Sequence, residues 1–340
     1  MVANTETWNG SSWTETGDLN TARGFLAGAN FAPSSASLGF GGDTSNGAGT
    51  GDTAITESWD GTSWTEVGDL NQARRAIVGS GTNTSALGFG GYNPSPNYAL
   101  TESWNGSSWT EVADLNTARH VAGAAGTDNT SSLCFGGYDD AQRTYTETWN
   151  GSAWTETGDL NTARHAVGAA GTTTSGLAFG GYTTAASALT ETFNGSSWTE
   201  VGDLNDARNY PGGDGTQTNA LAAGGQETLT ANTESWDGTS WTEVNNLNTA
   251  RSGLGFAGDS TSGLAFGGNT PSPTQTAATE GWDGSSWTEV ADLGYARRYL
   301  GRGGTGETNA IAFAGMATTA VANVEEWTAA DFQIKSVTTS

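Results

Sequence analysis

One cysteine, one lysine and two histidines are all that this 340-residue chain carries of those three side chains. A single thiol, Cys134, excludes an intrachain disulfide framework, so packing and hydrogen bonds must hold the fold. No run of eighteen apolar residues occurs, which argues against a membrane-spanning helix. The opening MVANTETWNG has neither a basic segment nor an apolar core, and no signal peptide is expected. Positive charge is scarce as well. Lys335 and eleven arginines face 36 acidic residues, giving a net charge of -24 and a pI near 4.1. Such a chain is repelled by nucleic acid and by anionic membranes, and neither is expected as a partner. Apolar residues make up only 35% of the chain, but aromatics reach 10% and fall at regular intervals. That regularity argues for packed, turn-rich β structure rather than disorder.

The regularity is an internal repeat. The element T/E-x-W-N/D-G-x-x-W places aromatic pairs at Trp8/Trp13, Trp59/Trp64, Trp104/Trp109, Trp149/Trp154, Phe193/Trp198, Trp236/Trp241 and Trp282/Trp287, with a degraded copy at Trp327/Phe332. Copies recur about every 43 to 51 residues, the period of four-stranded propeller blades. Between them lie short apolar strands ending in a glycine doublet, such as SSLCFGG and SGLAFGG. Each of these follows a small-residue strand such as HVAGAAGT, suited to a crowded inner edge. Asn-Gly or Asp-Gly between the third and fourth strands of a unit is a strong hairpin signal, because both residues tolerate positive φ.

These motifs predict an all-β, seven-bladed β-propeller of four-stranded antiparallel blades in a single domain, 1–340. Residues 24–332 form the seven repeats, 2–16 supply a surplus hairpin that closes the ring, and 333–340 form a tail. The glycine doublet followed by paired aromatics resembles the kelch repeat over nearly the whole chain. That resemblance implies a propeller of the kelch and galactose oxidase central-domain type, while leaving function open. The Cys-Tyr cofactor and His ligands of galactose oxidase have no counterparts at matching positions. SWDGTSW at 58–64 and 235–241 is similar to the Asp-box of sialidases, but the spacing differs. The richness in Gly, Ser, Thr and Asn also resembles kelch-like proteins of marine bacteriophages, which implies a virion or fibre role.

Two recurrent polar residues mark each unit. A Glu precedes the third-strand aromatic by two positions (Glu57, Glu102, Glu147 and their equivalents), and an Arg ends the unit (Arg74, Arg119, Arg164 and theirs). In a strand, residues two apart share a face, so Glu102 and Trp104 point the same way. Because every unit spends the same residues whatever its loops, a structural Glu–Arg pair is preferred to an anion-binding arginine ring. Trp104 and Trp109 are read as a cross-strand staple. The Asp of the DLN segments is read as a turn cap rather than a calcium ligand. His120 and His165 lack spaced ligand partners, and Cys134 fills a small packing position, so no metal, cofactor or catalytic group is expected.

The slots that change between copies are the candidates for binding. They are the residue after each recurring Arg, including Arg75, His120, His165, Asn209 and Arg298, and the loops between second and third strands. Tyr92, Tyr98, Tyr138, Tyr145 and Tyr182 occupy those loops or their starts. Both sets should gather on one end of the disc. The expected function is a non-catalytic surface module that recognises a protein or glycan, with self-association or virion assembly as its setting. The alternative is a kelch-type protein–protein adaptor, and a glycan-active enzyme ranks last. The expected location is a virion or extracellular surface, with the cytoplasm as the alternative.

Overall fold

The Asn-Gly turn explains the outer half of each blade. In the computed structural model, which describes residues 6–7, 16–29, 35–45, 50–93, 97–226, 229–271, 274–306, 309–317 and 324–328, Gly106 adopts φ +94°. The Asn105 side chain accepts the backbone N–H groups of Ser107 and Ser108, each at 3.0 Å. The loop is therefore four residues long, and Trp104 stands directly opposite Trp109 with ring centroids 5.4 Å apart. A two-residue turn would have set Glu102 against Trp109; its partner is Glu111.

The second blade shows the common plan: Val78–Thr82, Ser85–Phe89, Thr101–Trp104 and Trp109–Glu111, hydrogen-bonded in chain order and antiparallel throughout. The inner strand is rich in glycine and small residues because the neighbouring inner strands press against it. A Cβ on Gly79 would lie 2.7 Å from the Gly28 carbonyl of the preceding blade. The fourth strand buries its Trp and exposes the following Thr and Glu, which keeps the edge soluble.

Seven sheets follow one another around the ring, and the inner strand of the last contacts that of the first. The expectation of seven four-stranded antiparallel blades needs correction: six sheets, not seven, have that form. The remaining sheet is mixed. Gly301–Gly306, Asn309–Phe313 and Val324–Thr328 are antiparallel, but the outermost strand, Glu6–Thr7, runs parallel to Val324–Thr328. The physical reason is connectivity. Strands joined by a tight turn must run antiparallel, whereas a segment arriving from the far end of the chain is free of that constraint. The seam is also where strands are shortest. Glu6–Thr7 and the first blade's inner strand, Ala27–Gly28, have two residues each, while the other 26 strands among the described residues have three or more. Trp8, Trp13, Phe332, most of the expected 2–16 hairpin and the 333–340 tail lie outside the described residues.

The core lies between blades. Trp109 packs on Phe40 of the first blade at 4.7 Å, and its Nε1 donates to Thr56 Oγ1 of that blade at 2.9 Å. Trp154, Trp198, Trp241 and Trp287 repeat the bond to Thr101, Thr146, Thr190 and Thr233. At the seam, Trp64 packs on Phe313 at 5.0 Å. The fifth blade carries Ala223 where most blades have Phe, and Phe256 of the next inner strand packs near Trp287 instead.

The polar repeat forms a second interblade tie. Glu147 of the third blade is 1% exposed. It accepts Arg119 Nη1 at 2.6 Å, and Asn116 through its backbone N–H and side-chain amide at 2.8 and 2.7 Å. Asp114, two residues before Asn116, accepts the N–H of Thr101 in the second blade at 2.9 Å. One crossover segment thus grips both sheets that it joins. The pairs Arg23–Glu57, Arg74–Glu102, Arg164–Glu191, Arg208–Glu234 and Arg251–Glu280 repeat the arrangement. All seven recurring arginines are fully buried. Burial lowers the pKa of Arg23, Arg74, Arg164, Arg208 and Arg251 against the pull of their glutamates. These guanidinium groups therefore belong to the walls and not to the channel.

Candidate functional site

What positions the variable residues is a backbone bridge at the start of each blade. The residue after the recurring Arg exchanges hydrogen bonds with the residue after the glycine doublet: Arg75 with Tyr92, His120 with Tyr138, His165 with Tyr182, Asn209 with Gln226 and Arg298 with Met316. For His120 and Tyr138 the two N–H···O distances are 3.1 and 2.9 Å. The backbone supplies the geometry, so side chains at both positions can change without disturbing the fold. Both sets of slots consequently lie on one end of the ring.

On the second, third and fourth blades these slots join into a continuous arc. The Arg75 guanidinium carbon lies 5.4 Å from the Tyr92 ring centroid. Tyr92 to His120 is 5.0 Å, His120 to Tyr138 is 5.7 Å, Tyr138 to His165 is 5.3 Å and His165 to Tyr182 is 5.5 Å. The alternation arises because the slot before one inner strand sits beside the slot that follows the glycine doublet of the preceding blade. Arg75 is anchored by Asp43 at 3.0 Å, with Asp52 at 3.7 Å. Tyr145 stacks under Arg143 at 5.6 Å on a loop outside the arc, and Arg298 lies over Tyr299 at 5.2 Å at the start of the mixed sheet. Tyr98 is used in the framework, donating its N–H to the Gly91 carbonyl at 3.0 Å.

Below the arc the channel opens into a cavity of about 1010 Å³, walled by the inner strands. Its mouth holds residues absent from the sequence reading. Phe25, Ala76, Val121, Tyr210 and Tyr299 line it, and these five, with Ala166 and Gly253, each two residues after a recurring Arg, all adopt φ between 47° and 60°. For Val121 and the aromatics this region is strained, and strain of this kind is held only where surrounding contacts fix it. Interblade bonds supply that hold: Tyr210 N–H donates to the Ala166 carbonyl at 3.1 Å and Tyr299 N–H to that of Gly253 at 3.0 Å. Phe25 stacks on Tyr299 at 5.4 Å, and Tyr210 meets Tyr299 edge-on at 5.9 Å. Deeper in the channel, Asp214 and Arg302 stand on otherwise small-residue strands, and Arg302 Nη1 donates to the Phe256 carbonyl at 3.1 Å. The only sequence signal was a charge or ring inside a Gly/Ala segment, as in GGDG and GRGG.

The electrostatics of the arc favour neutral imidazoles. Burial, then the charges of His165 and Arg75, push the His120 pKa below its ordinary value of 6.5, and burial does the same for His165. The Nδ1 atoms of both are buried without a hydrogen-bond partner among the described residues. Tyr210 is pushed up to about 12 by burial and by Tyr299, so its hydroxyl keeps its proton. Burial raises the Asp214 carboxyl, with Arg302 opposing. A depressed histidine pKa stabilises the fold fully above the unfolded value and loses that contribution as pH falls through the folded value. Between pH 7 and pH 5 the melting temperature should therefore fall by about 1–2 °C more in the wild type than in His120→Gln/His165→Gln. Parallel melting curves in scanning fluorimetry would contradict this.

Among the described residues no group of three or more His, Cys, Asp and Glu is arranged to hold a metal ion. Cys134 is buried in the second strand of the third blade, where Arg119 Nη2 lies 3.3 Å from its sulfur. Burial raises its pKa to about 11, so it stays a thiol.

No family model matches the sequence, and no curated protein matches it either. Solved structures do match in shape. The structure of YjhT is similar to this chain with a TM-score of 0.61 at 11% identity, covering 81% of this chain and 99% of that one. At that identity the likeness shows the fold, a β-propeller with four-stranded blades, and nothing finer.

Proposed function

We propose that the protein is a non-catalytic recognition module that binds an extended surface ligand across the Tyr–His arc. The observation that carries this reading is the division of labour along the repeat. Framework residues recur in nearly every blade, while the slots that vary converge on one end and there present half-buried polar-aromatic side chains on a rigid backbone. Aromatic rings interleaved with imidazoles suit the mixed apolar and hydroxylated faces of a glycan. The propeller fold is consistent with an interaction module of this kind. A kelch-type identity and a place on a bacteriophage virion or fibre complete the reading, supported by the sequence resemblance. The second reading, a peptide-binding adaptor, draws on the aromatic mouth formed by Phe25, Tyr210 and Tyr299.

A glycan array and a displayed peptide library, each probed with the wild type and with Tyr92→Ala/Tyr138→Ala, separate these readings. The expected result is glycan binding that the double variant weakens by about tenfold to a hundredfold, with an unchanged melting temperature. Peptide capture alone would favour the adaptor. Turnover in a glycosidase screen would overturn the non-catalytic assignment.

A further inference from the structure

Between the fourth and fifth blades the arc ends in a separate cleft of about 340 Å³, lined by His165, Tyr182, Asn209, Tyr210 and Gln226. Its polar groups lack partners. Asn209 is only 7% exposed, and while its backbone N–H bonds the Gln226 carbonyl at 2.6 Å, its side-chain amide meets no hydrogen-bond partner among the described residues. The His165 Nδ1 is likewise buried and unpaired. Gln226 is exposed at the rim, with its amide also unengaged among the described residues. Buried polar groups are nearly always satisfied, and leaving one unmade costs more than an average hydrogen bond contributes. The buried, unpaired His165 Nδ1 and the unengaged amides of Asn209 and Gln226, beside two tyrosine rings, call for a ligand that brings both hydroxyls and an apolar face.

We infer that this cleft is a subsite for one uncharged hexopyranose ring, stacked on a tyrosine and hydrogen-bonded by Asn209, Gln226 and His165. The inference rests on the recognition reading above and names the ligand at one end of the same surface. Size supports it, because the volume lies at the lower end of small-molecule sites and suits a single ring. Charge supports it too. None of the five lining residues is an acid, a lysine or an arginine. His165 stays neutral near pH 7 because burial depresses its pKa. An anionic sugar would find no counter-charge among these five, and a neutral one finds both donors and acceptors. The fifth blade is where the slots change from His/Tyr to Asn/Gln, the residues best suited to paired donor–acceptor contacts with vicinal hydroxyls.

The test is saturation-transfer NMR of the whole chain with methyl glucoside, galactoside and mannoside, with sialic acid as the charged counterpart, alongside the glycan array. At least one neutral glycoside should receive saturation. Asn209→Leu, whose backbone bridge is kept, should weaken it by about tenfold, and Glu111→Gln on the distant rim should not change it. Saturation of the free glycoside without array binding identifies a free sugar as the source. Array binding competed by that glycoside identifies a chain end, and both outcomes support the subsite. Array binding that Tyr92→Ala/Tyr138→Ala abolishes and Asn209→Leu leaves intact would overturn the subsite while the recognition reading stands. Saturation of sialic acid alone, or of no sugar at all, would overturn the subsite outright.

Discussion

Arg119→Met should lower the melting temperature by about 4–7 °C, the equivalent of roughly 3–5 kcal/mol for breaking a buried ion pair in a chain of this size. The loss arises from what remains. Glu147 is 1% exposed, and without the Arg119 guanidinium its carboxylate keeps only the two donors of Asn116. Arg119→Met/Glu147→Leu should recover part of the loss, because removing both partners leaves no stranded charge, although Asn116 then loses its acceptor. Arg119→Lys keeps the charge but cannot reproduce the fork whose Nη1 donates to Glu147 and the Thr117 carbonyl while its Nη2 reaches the Cys134 sulfur, so it should fall between the two. A melting temperature unchanged in Arg119→Met would show that the repeated Glu–Arg pair serves something other than the fold.

Trp109→Ala should cost a comparable amount, about 3–5 kcal/mol, since it empties the contact between the first and second blades. Trp109 is 6% exposed, packs on Phe40 and Trp104, and bonds Thr56 across the blade boundary. Trp109→Phe keeps most of the packing and should lose only about 1 kcal/mol for the bond. Thr56→Val should lose a similar amount, and the two together should lose little more than either alone, because they delete one interaction. Additive losses in that cycle would mean that the Trp109–Thr56 bond contributes nothing to stability.

Both expectations show why the repeat was so legible. A residue needed for contact between neighbouring blades must recur in nearly every blade, so Glu147, Arg119 and Trp109 announce themselves by period alone. The same logic placed the variable slots on one end, because strand direction alternates within a blade and only two of its connections emerge there. The sequence left two hairpin registers open at Asn105-Gly106, and the choice fell to the Asn105 side chain, which closes a four-residue loop. Repetition also misled. A degraded copy near the C-terminus and a complete one at the N-terminus suggested a seventh blade like the rest, yet the last sheet takes Glu6–Thr7 in parallel.

The candidate site was half legible. His120, His165 and the tyrosines could be picked out as variable, but not their order in space, since neighbours in the arc belong to different repeats. Tyr210 and Tyr299 were invisible for another reason. Their place at the channel mouth follows from a left-handed backbone that no residue preference announces, and that interblade bonds impose on Val121 and Ala166 as well. The amino-acid sequence by itself determined the blade, its framework pairs and the end of the ring that varies, because those depend on local turns and on a contact repeated at fixed spacing. The parallel direction of the closing strand, the continuity of the Tyr–His arc and the unpaired amide of Asn209 were decided only by the tertiary structure. Each depends on residues brought together from separate blades, and nothing in the spacing along the chain encodes that distance.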